Sequence, residues 1–213
     1  MKRNIKACLL DFDGTLTTKD MLTVITGIAG KLEESQKLGD QFIRGEIEGL
    51  DALVARINLL AGVSVSDIEE FLDKDRGYMP GLKELMRFFR DNDIITIVAS
   101  GNIIPVLRYY QKILGFDYVV GSNTDMDGDK ILGIRRESYP SLYFKKDGIN
   151  KILETLNIEK ENIVAIGDGP GDKQMFEMAG YSIAFNPQGG IEKSADTVVE
   201  GDLNKVMEVL RNL

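Results

Sequence analysis

The chain has 213 residues, a formal net charge of −8 and no histidine. Its length suits one large domain or a core with a small companion. The acidic balance argues against a nucleic-acid-binding protein, which usually carries a basic face. No apolar run approaches the roughly 20 residues that cross a bilayer, so we expect no membrane partner. The absence of histidine excludes histidine triads, histidine zinc sites and phosphohistidine chemistry, and leaves proton transfer to a carboxylate, a lysine, a tyrosine or the single thiol.

The cysteine content and the N-terminal residues indicate a compartment. Cys8 is the only cysteine, which excludes an internal disulfide. The first residues run into a short apolar stretch and lack the pattern of a signal peptide. We therefore expect a cytoplasmic protein. As separate expectations, the protein is a monomer or homodimer and its partner is a small molecule.

Apolar runs alternate with helical patterns along most of the chain. The runs that predict buried strands are Ile5–Leu10, Ile94–Ala99, Asn162–Ile166 and Tyr181–Ala184, with weaker candidates at Tyr118–Val120 and Thr197–Val199. Helical patterns lie near Leu82–Asn92, Ile104–Leu114, Gly148–Leu156 and Leu203–Leu213. Strand alternating with helix predicts an α/β fold with a doubly wound, Rossmann-like, mostly parallel sheet. Ligands of such sheets bind outside the carboxyl ends of the strands.

Residues 17–79 interrupt this alternation and contain helical patterns only. Apolar residues between Leu50 and Leu60 have helical spacing, and Ser66 begins a capping-box signature. We therefore predict a helical cap at 17–79, inserted into a catalytic core formed by 1–16 and 80–213. Asp127-Gly128 is a hairpin signal and predicts a small β-excursion within the core.

Two carboxylates, Asp11 and Asp13, follow the first predicted strand. Two residues apart, they point the same way, so one can act as a nucleophile and the other as an acid/base whose pKa its neighbour raises. A cation would relieve their repulsion. The alternative is an ordinary turn or a helix N-cap, since Asp-Gly is common in loops.

Other predicted strands also end in polar residues. Ser100-Gly101 follows the second strong strand, where a hydroxyl and backbone N–H groups suit phosphate oxygens, although a serine there is more often a plain N-cap. Asp168 and Asp172 flank a glycine-rich loop after the third, and such hard oxygen ligands suit Mg²⁺.

Lys145 and Lys146 precede the helix that is expected to begin near Gly148. A lysine at this position can neutralise a phosphoryl oxygen and a carboxylate nucleophile. Most single lysines, in contrast, are solvated surface residues.

Together these segments resemble the four motifs of the haloacid dehalogenase superfamily of phosphatases. Those motifs run D-x-D-x-T/V, Ser/Thr, Lys and G-D-x-x-x-D. The matching segments are Asp11-Phe12-Asp13-Gly14-Thr15, Ser100, Lys145 or Lys146, and Gly167-Asp168 with Asp172. Counting back from Asp168 favours Lys145, whereas the apolar spacing of the following helix permits Lys146, to which we give a slight preference.

The resemblance implies a role for each matched residue. Asp11 would form an aspartyl-phosphate, and Asp13 would protonate the leaving alkoxide and then deprotonate water. The residues implied to hold the phosphoryl group are Thr15, Ser100, Gly101 and Lys145 or Lys146. Those implied to bind Mg²⁺ are Asp11, Asp13 through its carbonyl, and Asp168, with Asp172 beside them.

Within the superfamily the chain resembles the phosphoserine phosphatase subgroup, which has a helical insert between the first two motifs. The resemblance implies that Arg56 binds the substrate carboxylate and that Asp20 contacts its ammonium. The sequence departs from the subgroup's pattern at Gly49, at Asn102-Ile103 and at Gly171. Phosphoserine is thus the first candidate substrate, and phosphoglycolate, sugar phosphates and histidinol phosphate stay open.

Two other classes of protein compete with this hypothesis. A phospho-receiver signalling domain also combines aspartates, a Ser/Thr and a lysine on a doubly wound sheet. It is disfavoured because the candidate nucleophile follows the first strand and because a cap of about 60 residues would hinder docking of a partner. A catalytically silent binding protein would lack an essential carboxylate, and none is missing.

Overall fold

The computed structural model describes residues 3–139 and 143–213. The strands of this part are Ala7–Leu10 (β1), Ile95–Ile103 (β2), Tyr118–Ser122 (β3), Asp125–Asp127 (β4), Lys130–Gly133 (β5), Ile163–Gly167 (β6), Tyr181–Phe185 (β7) and Thr197–Val199 (β8). The α-helices are Met21–Thr26 (α1), Leu32–Ile43 (α2), Gly49–Asn58 (α3), Val65–Lys74 (α4), Leu82–Asp91 (α5), Ile104–Leu114 (α6), Phe144–Leu156 (α7), Lys173–Met178 (α8) and Leu203–Asn212 (α9).

Six strands form one parallel sheet in the order β3-β2-β1-β6-β7-β8. Helices α5, α6 and α9 pack on one face, and α7 and α8 pack on the other. Every residue of β1 and of β6 is buried, which explains why these strands read as continuous apolar runs. The predicted doubly wound α/β fold is therefore confirmed.

Three predicted boundaries are wrong. Strand β2 does not end before Ser100 but continues to Ile103, with a register shift against β3 after Ala99. Helix α7 begins at Phe144, one turn before Gly148, because its polar first turn carries no apolar periodicity. Helix α4 is capped by the side chain of Ser64, which accepts from the backbone N–H of Asp67.

Helices α1 to α4 form the insert between β1 and α5. The chain segments that lead into and out of it lie side by side, forming a neck. The backbone N–H of Thr18 donates to Gly77, and that of Met79 donates to Leu16. This neck lies at the ends of the predicted cap, 17–79, whose status as a separate domain stays a prediction.

Strands β4 and β5 form the antiparallel hairpin that Asp127-Gly128 predicts. The hairpin is attached to the insert, because Ile131 exchanges backbone hydrogen bonds with Gly62 and Val63 of the α3–α4 connection. The side chain of Asn58, the last residue of α3, accepts from the backbone N–H of Ile134 at 2.8 Å. The insert is thus bonded to the core at a second place besides its neck.

Within the described ranges, 3–139 and 143–213, no helix is long and apolar enough to cross a membrane.

Candidate active site

The carboxyl ends of β2, β1 and β6 bring the acidic motifs together. Asp11 directly follows β1, and Asp168 directly follows β6, the strand paired with it. Asp172 lies one short turn further on. Carboxylate oxygens of these three buried residues lie within 4.8 Å of one another. Oxygen ligands so close together suit a hard divalent cation.

Lys145, in the first turn of α7, is the cation that faces this cluster. Its Nζ lies 2.9 Å from Asp11 Oδ1 and 3.1 Å from Asp172 Oδ1. Its side chain is only 15% exposed. Burial alone would lower the pKa of this lysine, but the two carboxylates raise it above its usual value. The slight preference for Lys146 from the sequence does not agree with this placement, because its argument assumed that the helix begins near Gly148.

The Asp168–Asp172 loop is held by its own backbone and by a residue that sequence analysis missed. Asp172 Oδ2 accepts from the backbone N–H groups of Asp168 and Gly169, both at 3.1 Å. The side-chain amide of Gln188 donates to Asp168 Oδ2, and the Gln188 N–H donates to the Asp168 carbonyl. Gln188 follows β7, and no motif marks it. These bonds fix the loop so that its carboxylates face Asp11.

Gly14 allows the first motif to approach this loop. Its φ is +89°, and a Cβ at this position would come within 2.4 Å of Asp168 Oδ2. A side chain here would push the two acidic segments apart.

The Asp13 carboxylate accepts hydrogen bonds from residues of β2 and of the insert. Its Oδ1 accepts from the backbone N–H of Met21 at 2.7 Å. Ser100 Oγ donates to its Oδ2 at 3.1 Å, and the Asn102 side-chain amide donates to both oxygens at 3.3 and 3.2 Å. Asn102 is a further contact that sequence analysis treated only as a departure from the subgroup. The role of Asp13 as a metal ligand through its carbonyl stays a prediction.

Burial and mutual repulsion shift the pKa values of these acids. The pKa of Asp11 is raised well above its ordinary value by burial and then by Asp172, against the pull of Lys145. That of Asp13 is raised to about 7, by burial and then by Asp20. The pKa of Asp168 is raised to about 6, by burial and then by Asp172. Such shifts are common among acids at catalytic sites.

Thr15 and Gly101, both predicted to bind phosphate, are placed differently. Thr15 is fully buried, and its Oγ1 has no hydrogen-bond partner among the described residues. No contact therefore bears on its predicted role. Gly101 lines the site cavity, and a Cβ there would come 3.2 Å from Leu53 of α3.

Asp20 and Arg56, the two predicted substrate-binding residues, are bonded to each other. The Arg56 guanidinium forms an ion pair with the Asp20 carboxylate. It also donates to Thr23 Oγ1 at 2.8 Å and to Ser35 Oγ at 3.3 Å, which are two partners that sequence analysis missed. Asp20 in turn caps α1 by accepting from the Thr23 N–H. The pair forms a polar group on the insert, opposite the sheet.

A cavity of about 750 Å³ is lined both by the acidic motifs and by the Asp20–Arg56 pair. Its floor is formed by the acidic motifs, Ser100 and Lys145, and its roof by Asp20, Arg56 and apolar residues of α2 and α3. It is large enough for a small organic ligand. A ligand with an anionic group at the floor and a second polar group at the roof would fit this distribution of charge.

Comparisons with known proteins indicate a family of hydrolases. A family model described as haloacid dehalogenase-like hydrolase matches residues 8–177. A phosphoserine phosphatase of Methanocaldococcus jannaschii is 26% identical over 212 residues, which cover 99% of this chain and 100% of that relative. One of Archaeoglobus fulgidus is 29% identical over 194 residues, which cover 91% of this chain but only 56% of that relative's length.

A solved structure described as a phospho-aspartyl intermediate analogue of phosphoserine phosphatase has a similar fold. Its TM-score is 0.85 at 26% identity, and the match covers 97% of this chain and 99% of the other.

Proposed function

Because the chain belongs to the haloacid dehalogenase-like hydrolases, we propose that it is a magnesium-dependent phosphomonoester hydrolase that forms an aspartyl-phosphate. One observation carries the proposal. Asp11 lies buried beside Lys145, at 2.9 Å, while Asp13 is held two residues away by donors from β2 and the insert. A nucleophile, a phosphate-binding cation and a separate acid/base are thereby brought to one cavity.

In the first step a carboxylate oxygen of Asp11 attacks phosphorus, and the bond from phosphorus to the ester oxygen breaks. Asp13 gives its proton to the leaving alkoxide, so the alcohol departs neutral. A pKa near 7 makes a carboxyl group that is protonated in part of the molecules at neutral pH. The Lys145 ammonium balances the charge on the phosphoryl oxygens. Ser100 and the Gly101 backbone lie at the same cavity wall and would hold those oxygens.

In the second step water replaces the alcohol. Asp13, now ionised, takes a proton from the water as its oxygen attacks phosphorus. The bond between phosphorus and Asp11 breaks, inorganic phosphate leaves, and Asp13 is again protonated. Each carboxylate therefore ends the cycle in its starting state.

The donor set of the floor fits Mg²⁺. Asp11, Asp168 and Asp172 bring three buried carboxylates within 4.8 Å, and Lys145 supplies one positive charge against them. Burial, and then the neighbouring Asp172, raise the pKa of Asp11 and of Asp168, and a bound cation would oppose both effects. Asp11 and Asp168 would hold the ion directly, with Asp172 beside it. When bound, it would supply Lewis-acid stabilisation of the phosphoryl group and offset the repulsion between nucleophile and substrate.

Phosphoserine is the substrate that the roof supports best. Arg56 and Asp20 offer one cation and one anion across the cavity from the nucleophile. A zwitterionic amino acid could bind both, its carboxylate to Arg56 and its ammonium to Asp20. The relatives named phosphoserine phosphatase cover nearly the whole of this chain, which favours the same substrate.

The nucleophile provides the direct test. We expect Asp11→Asn to abolish hydrolysis of p-nitrophenyl phosphate, by at least about a thousandfold, because an amide oxygen cannot form the phosphoenzyme. Initial rates at saturating Mg²⁺ measure this, and acid-quenched wild type should carry covalent phosphate that the variant lacks. Asp127→Asn, on the exposed hairpin, removes the same charge and should keep wild-type rates. Undiminished turnover in Asp11→Asn would refute the mechanism.

A further inference from the structure

Asn102 is a buried polar residue on the wall of the site for which the proposed chemistry has no role so far. It is 1% exposed and lies within the extension of β2 beyond Ser100. A buried side-chain amide is unfavourable unless its donors and its acceptor all find partners. The partners of Asn102 therefore indicate what the residue does.

Backbone contacts fix which end of this amide faces Asp13. The Ile103 N–H donates to Asn102 Oδ1 at 2.9 Å, so the carbonyl end of the amide is occupied by a donor. The NH₂ end must then face Asp13, where it lies 3.3 and 3.2 Å from the two carboxylate oxygens. This orientation does not depend on distinguishing oxygen from nitrogen, because the reversed amide would set a donor against a donor.

A second path leads from Asn102 to the same carboxylate. Its backbone N–H donates to Ser100 Oγ at 3.0 Å. With that lone pair occupied, the Ser100 hydroxyl points its hydrogen at Asp13 Oδ2, 3.1 Å away. Asn102 thus acts on Asp13 directly through its side chain and indirectly through Ser100.

We infer that Asn102 is a positioning residue, which together with the Met21 N–H and the Ser100 hydroxyl orients Asp13 for proton transfer to the leaving-group oxygen. The inference rests on the proposed function, in which Asp13 is the acid/base. A carboxyl group that accepts from donors on both oxygens has its plane fixed, and proton transfer requires that the acid lie within hydrogen-bond reach of the departing oxygen. Without the Asn102 side chain, Asp13 would keep the Met21 N–H on Oδ1 and the Ser100 hydroxyl on Oδ2 but would lose the one donor that contacts both oxygens. The carboxyl plane would then be held less tightly.

The basicity of the leaving group separates positioning of the acid from general packing. An alkoxide or phenolate needs a proton as it leaves, whereas p-nitrophenolate is stable as an anion and needs little help. Phenyl phosphate and p-nitrophenyl phosphate differ little in shape. The ratio of their kcat/KM values therefore reports on the acid, since kcat/KM covers all steps through departure of the first product.

We expect Asn102→Ala and Asn102→Leu to lower kcat/KM for phenyl phosphate at least about tenfold more than for p-nitrophenyl phosphate. Phosphoserine, which releases an alkoxide, should be affected at least as strongly as phenyl phosphate. Alanine leaves a space where the amide was, and leucine restores most of the volume without a donor. If the ratio of the two kcat/KM values is the same in the alanine and leucine variants, the lost donor and not the lost volume is the cause. If only one variant folds, as judged by its Tm, that variant decides.

The control is Ser122→Ala, which removes a buried hydroxyl that donates to the Gly101 carbonyl at 2.7 Å in the same segment. It should change kcat/KM for phenyl phosphate and for p-nitrophenyl phosphate by the same factor. A common factor in the Asn102 variants as well would overturn the positioning role. Wild-type protein that hydrolyses none of these substrates would instead refute the proposed function, so the two failures are distinguishable.

Discussion

Lys145 and Lys146 are adjacent in the chain, but only one of them reaches the acidic cluster. The Lys145 ammonium contacts Asp11 and Asp172, and its removal would leave buried carboxylates without a cation. We expect Lys145→Ala to lower kcat for p-nitrophenyl phosphate by roughly a hundredfold or more. Lys146→Ala, a matched control, should stay within about twofold of wild type. The reverse result would reinstate the preference from the sequence.

Arg56 is the residue that we propose to bind a substrate carboxylate. We expect Arg56→Ala to raise KM for phosphoserine about ten- to a hundredfold, since a charged hydrogen bond is lost, but to change KM for p-nitrophenyl phosphate little. Arg44→Ala provides the control, because Arg44 also forms an ion pair on the insert, with Glu46, at the surface. Equal effects of Arg56→Ala on both substrates would exclude the carboxylate role and direct the search to other phosphomonoesters.

At the scale of elements, Gly133 ends β5 against α3, the helix that carries Arg56. Its φ is +123°, and a Cβ there would lie 2.3 Å from Asn58 Oδ1, which accepts from the Ile134 N–H. We expect Gly133→Ala to lower the free energy of unfolding by about 2–3 kcal/mol, from backbone strain and the displaced Asn58. It should also raise KM for phosphoserine, because the displaced helix carries the roof. Chemical denaturation and steady-state kinetics measure the two effects.

Gly128→Ala is the matched control for that change. Gly128 also has a positive φ, +58°, but a Cβ there meets nothing within 4 Å. Gly128→Ala should lower the free energy of unfolding by only about 1 kcal/mol, from backbone strain alone, and should leave KM for phosphoserine unchanged. Equal losses in the two variants would show that the contact between the hairpin and α3 does not contribute to stability.

The elements could be predicted from the sequence where burial alone determines them. Strands β1, β6, β7 and β8 are within two residues of their predicted bounds, since apolar runs in a parallel sheet leave little choice. The start of α7 and the end of β2 were missed, because polar residues at a cavity wall carry no periodicity. The contacts of Asn102 and Gln188 could not be predicted, because they depend on side chains from distant segments meeting in the folded chain.

At the scale of the whole molecule, the acidic residues of the cavity floor bring negative charges together in the folded state, which lowers its stability. Asp168 is buried, and its pKa is raised to about 6. Its ionised form therefore opposes folding at neutral pH in the absence of a cation. We expect Asp168→Asn to be more stable than wild type in EDTA, by about 1–2 kcal/mol after allowance for solvent screening, although it should lose activity.

Magnesium should reverse that order of stability. An ion that binds only the folded state raises Tm, so wild type should gain several degrees with millimolar Mg²⁺, and Asp168→Asn should gain little. EDTA should stop turnover of wild type and Mg²⁺ should restore it. Asp127→Asn should respond to Mg²⁺ like wild type. A metal-independent Tm and rate in wild type would exclude the assigned metal site.

The hydrogen bond from the Met21 N–H to Asp13 joins the first turn of α1 to the first motif. Met21 belongs to the insert, only a few residues past the neck formed by Leu16, Thr18, Gly77 and Met79. Any movement that carries α1 away from the sheet must therefore withdraw a donor from Asp13. Opening of the cavity would then break this hydrogen bond to the acid/base at the same time. All the donors to Asp13 would be in place only while the cavity is closed around the substrate and bulk water is excluded.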